Sequence, residues 1–212
     1  ISPSAFAGCA NLTAFEVAGG NARFTVVDDV LYNSDITTLI AYPAGKSSSS
    51  FTLPETVETI GDYAFYRATK LSAITLRDRI YEADGKTVDI PGISAIGSYA
   101  FYGCTGLTEI TIPNITSSVN TYAFAECTKL AEVNIGSGLK TISTHCFEGC
   151  TAIVNLVIPE TVEVIDDYAF YNCTGMTTLV LRSGVKTIGY RAFTNCLNKG
   201  TDTSGKNIAK VF

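Results

Sequence analysis

The dipeptide Ala-Phe recurs through this chain at Phe6, Phe65, Phe101, Phe124, Phe170 and Phe193, and Cys146-Phe147 fills the one gap. From Phe101 to Phe193 the spacing is 23 residues at every step; Phe65 to Phe101 is 36, one period plus 13, and Phe6 to Phe65 is 59. A unit this short cannot bury its apolar side alone, so a fixed period means that neighbouring units must stack to close a common core.

Other columns keep the same register. Three residues after each Phe stands Cys9, Cys104, Cys127, Cys150, Cys173 or Cys196, with Ala68 once. Three further on comes Leu12, Leu71, Leu107, Leu130, Ile153 or Met176. An aliphatic residue lies five before the Phe at Ile60, Ile96, Val119, Ile142, Ile165 and Ile188. Leu107 to Ile112 alternates as a short strand with one buried face does. Such strands should pair in parallel between units at roughly 4.8 Å. Phe101 and Cys104, three apart, are expected to share one face of a helical or 3-10 turn.

The run Ile-Gly-x-Tyr-Ala-Phe-x-x-Cys-x-x-Leu-x-x-Ile-x-Ile-Pro, from Ile96 to Pro113, resembles the BspA-like leucine-rich repeats. The resemblance extends over nearly the whole chain. It implies a right-handed leucine-rich-repeat-type solenoid of the α/β kind, with parallel strands and short helical turns. It further implies an extracellular, cell-surface role in adhesion or ligand binding, without naming the ligand. Phe24 to Pro43 resembles a hairpin insert of that family, with Asp29 where the insert usually carries Gly.

The expected organisation is one solenoid over residues 1–212 with a strand-rich insertion at 19–50, a short hairpin insertion at 77–92, and a tail or cap at 197–212. In the first insertion, Asp28-Asp29 and Asn33-Ser34-Asp35 read as turns of a strand meander. Asp84-Gly85 marks the tip of the second. Both insertions should elaborate the solenoid, not form separate domains.

Bulk properties exclude several functions. With 46% hydrophobic and 17% charged residues the chain has ample material for a core. Its net charge of -5 and scattered basic residues argue against nucleic acid. No apolar run is long enough for a transmembrane helix. The opening at Ile1, already inside the repeat pattern, suggests a mature or trimmed product.

The chemistry-bearing residues mostly fall into repeat columns. Six of the seven cysteines occupy a packing column, where a buried thiol acts as a small hydrophobe. With no Cys-x-x-Cys and one His, a structural zinc site is not expected. That one His, His145, sits in the column of Tyr63, Tyr99, Tyr122 and Tyr168, so it reads as a tyrosine variant, not a catalytic base. Asp28, Asp29 and Asp35 lack a calcium-loop spacing and read as turn chemistry. Asn11-Leu12-Thr13, Asn114-Ile115-Thr116 and Asn172-Cys173-Thr174 match the glycosylation sequon, a by-product of repeat composition.

Two surfaces remain as binding candidates. Tyr63, Tyr66, Tyr99, Tyr102, Tyr168 and Tyr171 flank the Phe column on the side away from Phe and Cys. They could stack on sugars or protein, or on one another as a shield for the core. On the strands, Glu109, Thr111, Glu132, Asn134, Asn155, Val157, Thr178 and Val180 alternate with buried positions and should face outward, with Arg77 and Arg182 at strand ends. A varied strand face on a monotonous scaffold suits a binding surface. The reading is a non-enzymatic, cofactor-free cell-surface or secreted module for a protein or glycan. The rivals are a passive spacer and an intracellular protein-interaction scaffold.

Overall fold

A computed structural model describes residues 1–80, 90–196 and, for the backbone, 209–211. The chain first forms an antiparallel meander of β1 (Phe24–Val27), β2 (Val30–Asn33) and β3 (Thr38–Ala41). Four two-residue strands follow: β4 (Ser50–Phe51), β5 (Thr59–Ile60), β6 (Ala73–Ile74) and β7 (Ala95–Ile96). Four-residue and two-residue strands then alternate as β8 (Glu109–Ile112), β9 (Ser118–Val119), β10 (Glu132–Ile135), β11 (Thr141–Ile142), β12 (Asn155–Ile158), β13 (Val164–Ile165), β14 (Thr178–Leu181) and β15 (Thr187–Ile188). The last strand is β16 (Ala209–Val211). From β8 to β15 each turn of this β-solenoid contributes one long, four-residue strand and one short, two-residue strand, and we name each coil after its Phe.

Of the long strands, β8 pairs in parallel with β10 and β12 with β14, each one period on, as in Glu132 with Glu109 and Asn155 with Thr178. Short strands pair in parallel too, Ile60 with Ile96 and Ile96 with Val119 in one sheet and β11, β13 and β15 in another. The meander joins the first of these two sheets, because β3 pairs in parallel with β5. Tyr42 then takes the aromatic place in front of Phe65. Its ring lies 5.0 Å from that of Phe65, and its amide donates to the Ala64 carbonyl at 2.7 Å. The tight turn between β1 and β2 closes on Asp28 and Asp29 at φ 50° and 67°, so aspartates accomplish what glycine usually does there. Lys46 holds the turn, its Nζ donating to the Asp28 carbonyl at 2.8 Å and to Asp29 Oδ2 at 2.5 Å. Ile80 and Ile90 form an antiparallel bridge at the base of the second insertion. Its expected tip, Asp84-Gly85, lies outside the described residues, as does the tail at 197–208.

No helix is present among the described residues, which corrects the expected helical turns. The segment around each Phe alternates right- and left-handed backbone. Positive φ falls two residues before the Phe, at Tyr63, Tyr99, Tyr122, His145 and Tyr168, and two after, at Arg67, Glu126 and Asn172. Alternate amides therefore point along the solenoid axis. Tyr63, Phe65 and Arg67 donate to Ser98, Ala100 and Tyr102 of the next coil at 2.9, 2.7 and 2.8 Å. The amides between them close tight turns within the coil, such as Tyr66 to Tyr63 and Ala68 to Phe65. A helix would need every one of these amides for its own ladder. Each left-handed non-glycine residue costs about 1–2 kcal/mol, which the inter-coil ladder offsets.

The core is a set of ladders along the axis. Rings from Phe65 to Phe193 stack nearly parallel, with centroids 4.8 to 5.2 Å apart, close to the strand spacing that sets the coil rise. Beside them runs the thiol column, and here each sulfur also makes a bond. The Sγ of Cys104, Cys127, Cys150, Cys173 and Cys196 donates to the carbonyl of the preceding coil's Phe at 2.8 to 3.2 Å. Burial pushes the Cys104 thiol up to about 12 and those of Cys127, Cys146 and Cys150 far above the usual range. Cys9 departs from the expected column. It is exposed, and among the described residues no hydrogen bond from its sulfur to a Phe carbonyl is formed.

Candidate functional site

The long strands show which face is free. Ile110, Val133, Leu156 and Leu179 point inward and are buried, while Glu109, Thr111, Glu132, Asn134, Asn155 and Val157 are exposed, as period-two alternation requires. Thr178 and Val180, on β14, are half-buried. The in-register pairing puts Glu109 beside Glu132 and Thr111 beside Asn134, so the outward residues form two rows across successive coils.

Between β10 and β12 this face is interrupted. The two strands are neighbours but form no ladder; β8 and β10 make one sheet, and β12, β14 and β16 another. A cleft of about 650 Å³ opens there. Glu132, Asn134, Asn155 and Val157 line it, together with residues that alternation did not single out, among them Val154, Pro159 and Ile135. Arg182 stands at its edge. Ile135 is half-exposed although the equivalent Ile112 and Ile158 are fully buried, so the cleft reaches the inward row. A signal for Val154 was available. In its column the other coils carry Ser72, Thr108, Ala131 and Thr177, and an exposed valine among them is out of place.

Of the two strand-end arginines, only Arg182 is free to meet a ligand. Arg77 turns back on its own scaffold, its guanidinium donating to the carbonyls of Pro54 at 3.2 Å and Glu55 at 2.7 Å.

The aromatic edge is built differently. Tyr63, Tyr99, Tyr122, His145 and Tyr168 form one continuous stack, with centroid separations of 4.8, 4.7, 4.3 and 4.7 Å and interplanar angles of 14° or less. Tyr66 stacks on Tyr102 at 5.2 Å, and Tyr168 meets Tyr171 edge-on. All six candidate tyrosines are half-buried, and their faces are largely spent on each other. His145 fills its column as a ring among rings, with Nδ1 2.5 Å from Glu148 Oε2. Burial and the neighbouring Glu148 raise the Glu126 carboxyl above its ordinary range. Asp28 and Asp29 serve the meander turn, and among the described residues no cluster of three or more metal-ligating side chains occurs.

A stacked parallel-strand solenoid with a polar strand face and internal Phe and Cys ladders defines a leucine-rich-repeat protein. The chain belongs to the BspA-type leucine-rich repeat family, whose profile matches residues 41–89 and 81–200 in 6 copies. It is similar to the crystal structure of a leucine-rich repeat protein from Eubacterium ventriosum, at 24% identity and a TM-score of 0.73 over 97% of this chain. It also resembles a leucine-rich cell surface protein from Faecalibacterium prausnitzii, at 23% identity and a TM-score of 0.59 over 91% of this chain. A third, the leucine-rich repeat protein of T. pallidum, gives 23% identity and a TM-score of 0.52 over 85% of this chain and 67% of its own. The chain spans 58% and 42% of the length of the first two. No curated protein matches it in sequence. Among the described residues no helix is long and apolar enough to cross a membrane.

Proposed function

We propose that this chain is a non-enzymatic binding module exposed at or beyond the cell surface, and that it meets a protein or glycan through its strand face. One observation carries the reading. The aromatic edge, the thiols and the Phe rings are committed to contacts between coils, whereas the outward positions of β8, β10 and β12 are exposed and pass from Glu109, Glu132, Thr111 and Asn134 to Asn155 and Val157. Variation without structural duty is what recognition requires of a repeat surface. Family membership supports a binding role, and the surface location named for the F. prausnitzii relative supports export of this chain too.

The test is a screen against matrix proteins, mucins and glycans, followed by two variants. Glu109→Lys with Glu132→Lys, Asn134→Lys and Asn155→Lys should abolish binding to any hit while the fold stays intact. Tyr102→Ala with Tyr171→Ala should leave it unchanged. The opposite pattern moves the site to the aromatic edge, and the lack of any ligand favours a spacer.

A further inference from the structure

The interruption between β10 and β12 is a property of a whole coil junction. Where the Phe101 coil meets the Phe124 coil, the Thr108 carbonyl accepts from the amides of Ala131 at 2.9 Å and Glu132 at 3.3 Å. Where the Phe147 coil meets the Phe170 coil, the Val154 carbonyl accepts from Thr177 at 2.8 Å and Thr178 at 3.2 Å. At the junction between these two, the Ala131 carbonyl receives neither the Val154 nor the Asn155 amide. β9 and β11 likewise do not pair. The turn ladder is nevertheless intact there, with Tyr122, Phe124 and Glu126 donating to Thr144, Cys146 and Glu148 at 3.2, 2.8 and 2.7 Å. The coils are thus held at the aromatic edge and parted at the strands.

Ala131, Val154 and Asn155 all line the cleft and are exposed. The cleft therefore offers one carbonyl and two amides with no protein partner, next to the apolar surface of Val154, Val157, Ile135 and Pro159. Glu132 lies at one end and Arg182 at the other. Two strand spacings and four residues of strand rise separate them, on the order of 15 Å. No aromatic ring lines the cleft, so a sugar would find no stacking platform. Main-chain donors and acceptors beside an apolar floor are what an extended polypeptide uses.

We infer that this cleft binds an extended segment of a partner protein. Its backbone bonds to Ala131, Val154 and Asn155, an apolar side chain sits on Val157 and Ile135, and a basic and an acidic residue about five positions apart face Glu132 and Arg182. At about 3.3 Å per residue a five-residue stretch spans that separation. The inference rests on the strand face being the binding surface and narrows it to one place and one ligand class.

The probe is a library of nine-residue peptides with a Lys and an Asp five apart, in both orders, and randomised residues between them. Binding to the full chain is read by fluorescence anisotropy. Peptides with a central Val, Ile or Leu should be enriched, and Val157→Arg and Val154→Arg should each weaken them at least tenfold. Glu132→Lys should weaken them fivefold or more and favour peptides in which Glu replaces the Lys. Lys140→Glu, exposed beside the short strand β11 and outside the cleft, should change affinity less than twofold. Bound peptide should also slow hydrogen exchange at the Val154 and Asn155 amides. Binders insensitive to Val157→Arg, or a library with no binder, overturn the inference. A ligand lost on Glu109→Lys but kept on Val157→Arg would overturn it while leaving the strand face as the binding surface.

Discussion

The aromatic edge and the strand face belong to the same coils, yet they are built on opposite terms. On the side of the edge and its underlying core, each junction from Phe65 to Phe193 repeats one set of contacts: a Phe ring on a Phe ring, a thiol on a Phe carbonyl, three amides on three carbonyls. Along the strands the outward residues change from Glu109 and Glu132 to Asn155 and Thr178, and the backbone ladder itself is missing between β6 and β8 and between β10 and β12. The contrast teaches how a repeat protein divides its labour. Cohesion is concentrated where identical residues meet, and that frees the other side to vary and even to open without loss of the stack.

Breaking the cohesive side should have the largest effect. Phe124→Ala removes a fully buried ring from between two others and should cost about 3–5 kcal/mol in chemical denaturation. Tyr99→Ala, which also loses two stacking partners but from a half-buried site, should cost about 1–2 kcal/mol. Equal losses would mean that the edge carries as much of the core as the Phe column does.

The thiol column sharpens the same comparison through pH. Burial raises the Cys104 thiol from 9.0 in the open chain to about 12, and the other fully buried thiols are raised as well. The folded state therefore keeps protons that the unfolded chain sheds. Stability from these groups is complete below pH 9 and falls as pH rises toward the folded values, by up to about 1.4 kcal/mol per pH unit for each thiol. Urea midpoints should drop steeply above pH 9, and replacing Cys104 with Ala should reduce that slope. At neutral pH a thiol reagent should label exposed Cys9 in the native protein and the remaining six cysteines only after unfolding. Rapid native labelling of Cys127 or Cys150 would break the assignment.

On the strand face the smallest effect is expected. Glu109→Lys and Glu132→Lys alter exposed residues whose side chains contact little, so each should shift stability by less than about 0.5 kcal/mol. A larger loss would show that this face also holds the coils together.

Much of this architecture was legible in the residues. The Phe and Cys columns and the alternation from Leu107 to Ile112 show which side chains point inward, because burial of apolar groups must recur whenever the coil does. The outward strand positions follow from the same alternation. The turn conformation was not legible. A Phe and a Cys three apart fit a helical turn equally well, and only the presence of a neighbouring coil draws alternate amides out of the coil and into an inter-coil ladder. The place of Tyr42 in the aromatic column was hidden for a similar reason, since it reaches that column by way of a meander that breaks the period.

What the sequence by itself determined is therefore the repeat, its core columns and its family, all carried by residue types at a fixed spacing. The opening between β10 and β12 was decided by tertiary structure alone. The 23-residue period runs through that junction unbroken. Whether the Ala131 carbonyl meets the Val154 and Asn155 amides depends on how closely two coils approach on one side while they are clamped on the other. Hydrogen bonds weaken steeply over a few tenths of an ångström and with misalignment. A backbone amide is the same group in every coil, so residue type does not record which ones are left unpaired.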